Sequence, residues 1–264
     1  MADALLEVRG LMKSFGGLLA TNRVDLAIPT GETHAIIGPN GAGKTTLIAQ
    51  LAGDLAPDGG TIAFAGRDVT ALSAAARSHL GLARSFQITS VFRDFTALDN
   101  VALAVQAHAG HSFRFWRAAR ADVALREPAR AVLASVGLAA RADVVAANLA
   151  HGEQRQLEIA MALATRPRLL LLDEPMAGMG PEESQRMIEF LRTLKGTQTM
   201  LLVEHDMDAV FALADRISVM VYGRIIASGA PAAIRENAEV REAYLGEDTF
   251  DGHGPSGSNG EPSC

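Results

Sequence analysis

The order of apolar and polar positions divides the chain into three zones. Up to about residue 90, short apolar or alternating runs follow turn residues, which is typical of β-strands. From 91 to 164, the chain is rich in Ala and Arg and has helical spacing. The strands of the first zone are expected at residues 5–8, 24–28, 33–37 and 61–64.

In the third zone, 165–235, apolar runs alternate with helical stretches. The runs LLLLDE, MLLVEH and ISVMV are separated by PEESQRMIEFLRTL and MDAVFALAD. Alternation of this kind predicts βαβ units and a parallel sheet covered by helices.

These zones predict an α/β protein whose core is interrupted by an insertion. Residues 1–90 and 165–235 are expected to form the core, and 91–164 an inserted helical subdomain. A C-terminal helix is expected at 236–246. The final segment, 247–264, is polar and rich in Gly, Ser and Pro, which predicts a disordered tail.

Composition narrows the class of protein. The 264 residues are 48% apolar and 20% charged, which is typical of a globular chain with a large core. A net charge of −6 gives no support for nucleic acid as a partner. The only cysteine is Cys264, so no disulfide can form within the chain. The first residues do not resemble a secretory signal, and no apolar run reaches the roughly 18 residues that would span a bilayer.

The stretch GPNGAGKT, which begins at Gly38, matches the phosphate-binding pattern G-x-x-x-x-G-K-[ST]. It follows the apolar run THAII and opens the helical run TLIAQLAG, which is the context that the motif requires. Gly38, Gly41 and Gly43 permit a tight turn whose N–H groups point at phosphate oxygens. Lys44 is expected to reach the β- and γ-phosphates, and the Thr45 hydroxyl to bind Mg²⁺.

A second motif is the acid pair that ends the apolar run LLLLDE. Ligands of open α/β sheets bind at the carboxyl ends of the strands. Asp173 is therefore expected to hold the Mg²⁺ shell, and Glu174 to polarise the water that attacks the γ-phosphate.

The helical stretch NLAHGEQRQLEIAMALA has an unusual beginning. Its second half carries one apolar stripe, formed by Leu157, Ala160, Met161 and Ala164. Its first half holds a glycine, a histidine and several polar groups. A helix N-terminus of this composition is suited to an anion.

Together, these motifs resemble the ATPase subunits of ABC transporters, over residues 5 to about 245. The resemblance implies a P-loop fold with a parallel core sheet, an N-terminal antiparallel β-subdomain and an inserted helical subdomain. It also implies that the helix start is the family signature, usually LSGGQ, which faces the ATP held by a partner ATPase. Here the signature residues are Leu149, Ala150, His151, Gly152 and Glu153.

The resemblance also implies ATP and Mg²⁺ as cofactors and a set of residues that hold them. His205, in LLVEHD, corresponds to the histidine that contacts the γ-phosphate, and Gln87, in SFQ, to the glutamine that touches Mg²⁺ and the attacking water. Catalysis is thus assigned to Glu174, His205 and Gln87, and Mg²⁺ binding to Thr45, Gln87 and Asp173. ATP binding is assigned to Phe15, which would stack on adenine, and to Gly38, Pro39, Asn40, Gly41, Ala42, Gly43, Lys44, Thr45 and Thr46.

Two positions depart from the family pattern. The usual signature serine is Ala150, and the aspartate that usually precedes the proline of the following loop is Gly180. Both lie on surfaces that would face the partner ATPase. We therefore expect a weaker composite site, and a partner that is a different ATPase.

Several segments indicate which branch of the family the chain resembles. The segments RQLEIAMALA, DEPMAGMGPEE and GRIIASGAPAAIRENAEVREAYLGE, with the insertion HSFRFWRAARADVALREPAR, are similar to the larger ATPase of branched-chain amino-acid importers. This implies a second, shorter ATPase, two membrane permeases and, indirectly, a solute-binding protein, with the chain peripheral at the cytoplasmic face of the inner membrane. Phe92, Phe95 and Leu98 are candidates either for permease contact or for the core of the helical subdomain.

Several alternatives remain open on the sequence alone. Importers of urea and short amides have a similar signature and loop. The ATPase of lipopolysaccharide export is related but lacks a long insertion at this place. Soluble ABC ATPases of DNA repair or translation usually carry a coiled-coil insert or two cassettes, and a P-loop kinase would need neither the signature nor His205.

Overall fold

The computed structural model describes residues 4–85, 91–109 and 122–244. Gln87, part of the insertion and the tail 247–264 with Cys264 lie outside the described residues. The strands are β1 (Ala4–Phe15), β2 (Leu18–Pro29), β3 (Thr33–Ile37), β4 (Gly59–Phe64), β5 (Arg67–Asp68), β6 (Leu82–Arg84), β7 (Leu169–Asp173), β8 (Thr199–Val203), β9 (Arg216–Val221) and β10 (Arg224–Gly229).

The helices lie between and after these strands. They are α1 (Lys44–Ala52), α2 (Ala74–His79), α3 (Ala97–His108), α4 (Val123–Ser135), α5 (His151–Ala164), α6 (Pro181–Leu194), α7 (Met207–Leu213), α8 (Pro231–Glu236) and α9 (Ala238–Tyr244). Among the residues that the structure describes, no helix combines the length and the apolar character needed to cross a bilayer.

Two sheets confirm the α/β fold that the sequence predicts. A four-stranded antiparallel sheet has the order β2-β1-β4-β5, and a six-stranded sheet has the order β10-β9-β3-β8-β7-β6. Strands β9, β3, β8, β7 and β6 run parallel, and β10 pairs antiparallel with β9 at one edge. The three-residue β6 has too short an apolar run for the pattern to predict it.

The position of strand β7, between β8 and the edge strand β6, explains the uninterrupted apolar run LLLLDE. Leu170 and Leu172 pack into the cluster formed with the helical subdomain, whereas Leu169 and Leu171 face the cluster that contains α1 and the antiparallel sheet. A strand covered on both faces needs apolar side chains at every position. Asp173 is the last residue of this strand, at the carboxyl edge of the sheet, and it has no exposed surface.

The structure separates the three candidates for permease contact. Leu98 is fully buried in the core of the helical subdomain, which decides for the core between its two alternatives. The helical spacing of α3 directs Leu98 inward together with Val101. Phe92 and Phe95 precede the helix and are 55% and 38% exposed.

Helix α9 (Ala238–Tyr244) lies within the range 236–246 where a C-terminal helix is expected, and a separate short helix, α8, precedes it. Two short helices, α8 and α9, meet at Asn237, whose backbone is extended. The Asn237 side chain accepts a hydrogen bond from the Val240 N–H at 3.1 Å and so begins a new helix.

A buried arginine ties the first helix to the chain that follows it. The Arg77 side chain is 1% exposed and its guanidinium donates to four backbone carbonyls. These are Gln50 O at 2.6 Å, Leu51 O at 2.7 Å, Thr70 O at 3.0 Å and Leu72 O at 3.1 Å. Two of them lie in the last turn of α1, where a positive charge also interacts favourably with the helix dipole.

Replacing Arg77 by methionine is expected to lower the free energy of unfolding by about 3 kcal/mol, because several buried carbonyls lose their donor. Urea denaturation followed by circular dichroism measures this change. The matched control is Arg67→Met, since Arg67 is exposed on β5 and its loss should change stability by about 0.5 kcal/mol or less. Equal, small effects of the two substitutions would contradict the structural role of Arg77.

Candidate nucleotide site

The phosphate loop connects β3 to α1 and requires glycine at two positions. Gly38 and Gly43 have φ values of 153° and 102°. A Cβ atom at Gly43 would lie 1.9 Å from the Ala20 carbonyl oxygen, and one at Gly38 would lie 2.0 Å from that of Met220. The loop backbone is therefore packed directly against β2 and β9, an approach that any larger residue would prevent.

Lys44 lies inside this loop. It is 7% exposed, and its Nζ donates to the carbonyl oxygens of Gly38 at 2.6 Å and Pro39 at 3.1 Å. These contacts hold the ammonium group within the turn that the motif forms. Among the other predicted loop residues, Ala42 is buried, Pro39 and Thr46 are half-buried, and Asn40, Gly41 and Thr45 are exposed.

Asp173 has two oxygens in different surroundings. Oδ2 accepts a hydrogen bond from Arg84 Nη2 at 2.9 Å, whereas Oδ1 is buried and has no hydrogen-bond partner among the described residues. Burial raises the pKa of Asp173, and the hydrogen bond and charge of Arg84 act in the opposite direction. Arg84 was not predicted from the sequence, because 89 residues separate it from Asp173.

Glu174 adopts a backbone conformation that is rare for its residue type. Its φ is 48°, and its N–H donates to the Val203 carbonyl at 2.9 Å. Such a conformation persists only where the surroundings fix it, and it is frequent at functional sites. The conformation turns the chain just after β7, and His205 Nδ1 lies 3.9 Å from Glu174 Oε1.

A third carboxylate, Glu204, is a residue that the sequence analysis missed. It is 1% exposed and holds two loops together: Oε1 accepts from the Met176 N–H at 3.0 Å, and Oε2 accepts from the His205 N–H at 3.1 Å. Burial raises the pKa of Glu204, and these backbone hydrogen bonds oppose that shift. The letter E before the predicted histidine in LLVEH is the only signal that could have indicated it.

The order of the sheet explains how distant motifs meet. Strands β3, β8 and β7 are neighbours, and they run parallel. The phosphate loop, His205 and the acid pair follow their carboxyl ends, so all three lie at one edge of the sheet. The structure thus brings together most of the predicted catalytic and metal-binding residues.

The signature begins α5 within the helical subdomain. Ala150 is the N-cap residue and has no side chain that could cap the helix. Instead, Glu153 Oε2 accepts a hydrogen bond from the Ala150 N–H at 3.0 Å, and Arg141 Nε donates to Glu153 Oε1 at 2.8 Å. Leu149 is 5% exposed and belongs to the core, so its side chain does not face outward, contrary to the expectation for the whole motif.

Two further signature residues lie next to the loop that follows Glu174 and the first turn of α6. A Cβ atom at Gly152 would be 3.4 Å from Glu183 Oε1, and one at Gly178 would be 3.5 Å from the His151 ring. Gly180 is the N-cap residue of α6, directly before Pro181. The two positions that depart from the family pattern, Ala150 and Gly180, therefore both begin helices.

Phe15, the predicted adenine contact, lies at the end of the first strand of the antiparallel sheet. It pairs with Leu18 across the hairpin and is 50% exposed. Lys13 Nζ lies 5.8 Å from the centre of the ring. The ring is therefore half-exposed and has a cationic neighbour.

The residues present fit a magnesium nucleotide. The loop has the glycine pattern of a phosphate-binding turn, and the buried Oδ1 of Asp173 lacks a hydrogen-bond partner among the described residues. No group of three or more His, Cys, Asp or Glu side chains in the described part of the chain could hold a metal alone. Mg²⁺ commonly binds through one or two protein oxygens and the phosphates of its nucleotide, so one carboxylate and the hydroxyl of Thr45 suffice.

Sequence comparisons connect this site to known proteins. The family model for ABC transporters matches residues 21–177, and the model for branched-chain amino acid ATP-binding cassette transporters matches 224–249. The high-affinity branched-chain amino acid transport ATP-binding protein LivG of Salmonella typhimurium is 41% identical over 94% of this chain and 100% of its own length. BraF of Pseudomonas aeruginosa, with the same description, is 40% identical over the same shares. The lipopolysaccharide export system protein LptB of Acidithiobacillus ferridurans is 35% identical over 92% of the chain and 97% of its own.

Solved structures agree with the sequence relatives. The ADP conformation of an ATP-binding cassette of an ABC transporter is 30% identical, covers 93% of this chain and 100% of its own, and superposes with a TM-score of 0.82. The nucleotide-free form of an ATP-binding cassette has a TM-score of 0.81. The motifs, the geometry of the sheet edge and these likenesses over nearly the whole length lead to one conclusion: the chain belongs to the ABC transporter ATP-binding proteins and, among them, to the family of branched-chain amino acid transport ATP-binding proteins.

Proposed function

We propose that this chain binds ATP with Mg²⁺ and hydrolyses it to drive a membrane importer of branched-chain or other hydrophobic amino acids. The hydrolytic part rests on one observation above all: the phosphate loop, the acid pair and His205 share one edge of the sheet, with His205 Nδ1 3.9 Å from Glu174 Oε1.

In this mechanism, the loop glycines and the N-terminus of α1 hold the phosphates, and Lys44 moves from its loop carbonyls to the phosphate oxygens. Thr45 and Asp173 would hold Mg²⁺, which would supply positive charge to offset that of the phosphates. Glu174 orients and polarises the attacking water. His205, which is 64% exposed, contacts the γ-phosphate.

A partner ATPase of the same fold completes the site. The N-terminus of α5, at Ala150 and Gly152, faces the nucleotide of a partner ATPase, as the N-terminus of a helix suits an anion. Because Ala150 lacks a hydroxyl, this half of the pair makes one hydrogen bond fewer to the partner's phosphate. We infer that the partner is a second, different ATPase, with which the chain forms a heterodimer.

Replacing Glu174 by glutamine is expected to lower the turnover of ATP by about 10²–10⁴-fold in the assembled complex and to leave ATP binding intact. The amide keeps the size of the side chain and cannot accept the proton of the attacking water. Phosphate release measures turnover, and a fluorescent nucleotide measures binding. Glu189→Gln, an exposed glutamate on α6, is the matched control. Retained turnover in the Glu174 variant would remove this residue from its assigned role.

The importer assignment rests on the comparisons. Likeness to LivG and BraF extends over their full length, and the branched-chain amino acid model matches the C-terminal segment separately. The nearest alternative of another kind, a lipopolysaccharide-type export ATPase, has support from the 35% identity to LptB. A urea or short-amide importer is a further alternative, and a soluble ABC ATPase is the alternative outside transport.

The loop before α3 supports contact with a permease. Phe92 and Phe95 are exposed and their rings stack with centroids 5.6 Å apart. Asn100 is fully buried below them and fixes this loop: it accepts from the Phe92 N–H at 2.8 Å and donates to the carbonyls of Phe92 at 3.0 Å and Thr96 at 2.9 Å. A rigid loop that presents two exposed aromatic rings is suited to a protein interface.

The double substitution Phe92→Ala and Phe95→Ala is expected to weaken association with the permeases by about tenfold or more, because aromatic anchors at interfaces commonly contribute about 2 kcal/mol. Recovery of permease on the tagged chain measures this loss. Val123→Ala is the control, since Val123 is an exposed apolar residue on α4. Unchanged recovery with the double variant would place the interface elsewhere.

The first experiment is the recovery of the tagged chain from detergent-solubilised membranes, with mass spectrometry of its partners. Two polytopic permeases and a second, shorter ATPase are expected, with the chain peripheral at the cytoplasmic face of the membrane. Their solute-binding protein then identifies the substrate. Export permeases without a second ATPase would replace the importer assignment by the export alternative, and recovery of the chain alone would leave only the ATPase.

A further inference from the structure

Arg84 connects two acidic residues across the core. It ends β6, pairs in register with Leu171 of β7, and has a side chain that is 13% exposed. Nη1 lies 2.7 Å from Asp54 Oδ2, just beyond the C-terminus of α1, and Nη2 lies 2.9 Å from Asp173 Oδ2. One guanidinium thus binds two carboxylates, one with each terminal nitrogen.

This contact makes the two oxygens of Asp173 unequal. Oδ2 is bound to Arg84, and Oδ1 is buried without a hydrogen-bond partner among the described residues. A carboxylate that is bound at one oxygen cannot rotate freely. Oδ1 therefore keeps one direction, and it is the oxygen that remains for a metal ion.

The contact with Asp54 fixes the angle at which Arg84 meets Asp173. A planar guanidinium that is held at one branch presents its other branch at a fixed angle, which a flexible ammonium group does not do. Residues that hydrogen-bond to metal ligands commonly orient them, and their loss typically lowers metal affinity by about 10–100-fold.

We propose that Arg84 is a positioning residue for magnesium: it binds Oδ2 of Asp173 so that Oδ1 is presented to the ion. The inference rests on the proposed function, since it assumes that Asp173 belongs to the Mg²⁺ shell. In this proposal Arg84 acts through Asp173 and not as a ligand of the metal or the nucleotide. Its effect should therefore appear in metal affinity and not in the affinity for metal-free ATP.

The test uses the full chain with Glu174→Gln, so that ATP is bound without being hydrolysed. Mn²⁺ replaces Mg²⁺ as the probe, and electron paramagnetic resonance measures free Mn²⁺ during a titration in the presence of ATP. Adding Arg84→Met should raise the Mn²⁺ dissociation constant about tenfold. The affinity for ATP in excess EDTA should not change. Arg84→Lys, which keeps the charge and one donor, should recover part of the loss.

The chain offers a matched control in the pair Arg126–Asp99. This ion pair is also partly buried, with Nη1 2.8 Å from Oδ1, but it joins α4 to α3 within the helical subdomain. Arg126→Met should lower the thermal stability without a change in Mn²⁺ affinity. Equal effects of Arg84→Met and Arg126→Met on Mn²⁺ affinity would overturn the inference.

The remaining outcomes separate the inference from the proposed function. Unchanged or tighter Mn²⁺ binding with Arg84→Met would overturn the role of Arg84 and leave the ATPase assignment standing. Absence of ATP-dependent Mn²⁺ binding by the Glu174→Gln protein itself would instead count against the proposed function. If Arg84→Met does not fold, Arg84→Lys decides: weaker Mn²⁺ binding supports the inference, and unchanged binding contradicts it.

Discussion

The burial of one carboxylate at the end of a fully covered strand is the constraint on which the site depends. Strand β7 is apolar at four successive positions because helices and the antiparallel sheet cover its two faces. Asp173 continues this strand and is therefore removed from water together with it. A buried carboxylate is costly without a partner, and the guanidinium of Arg84 is the partner that the fold provides.

The loops around this acid are held by close contacts of the backbone. Gly43 lets the phosphate loop approach β2 to a distance that no side chain permits. Across the sheet, Glu204 uses both carboxylate oxygens to join the loop after Glu174 to the backbone of His205. The loop that follows Glu174 and the backbone of His205 are thus held by hydrogen bonds to one buried carboxylate, and His205 Nδ1 lies 3.9 Å from Glu174 Oε1. Preorganisation of this kind allows a site to close on a ligand with little rearrangement.

The motifs were predictable because each is local in sequence. The phosphate loop, the acid pair that ends LLLLDE and the histidine that ends MLLVEH each follow an apolar run, so their position at the carboxyl edge follows from the parallel sheet alone. Arg77 and Arg84 were not predictable, because nothing in their own neighbourhood distinguishes them from exposed arginines. Their burial depends on carbonyls and carboxylates supplied by distant elements. For Leu98 the sequence left two alternatives, core and surface. The packing of α3 decides for the core.

The signature shows how a departure from a family pattern can be accommodated within one helix start. Without a serine at Ala150, the N-cap side chain makes no hydrogen bond, and the Glu153 carboxylate instead satisfies the Ala150 N–H from the first turn. That arrangement places a negative charge beside a helix N-terminus, which the helix dipole favours. The same charge would repel a phosphate at the surface that is proposed to face the partner's nucleotide. Arg141 binds the other oxygen of the same carboxylate. It thereby turns Glu153 toward its own chain and offsets part of its negative charge.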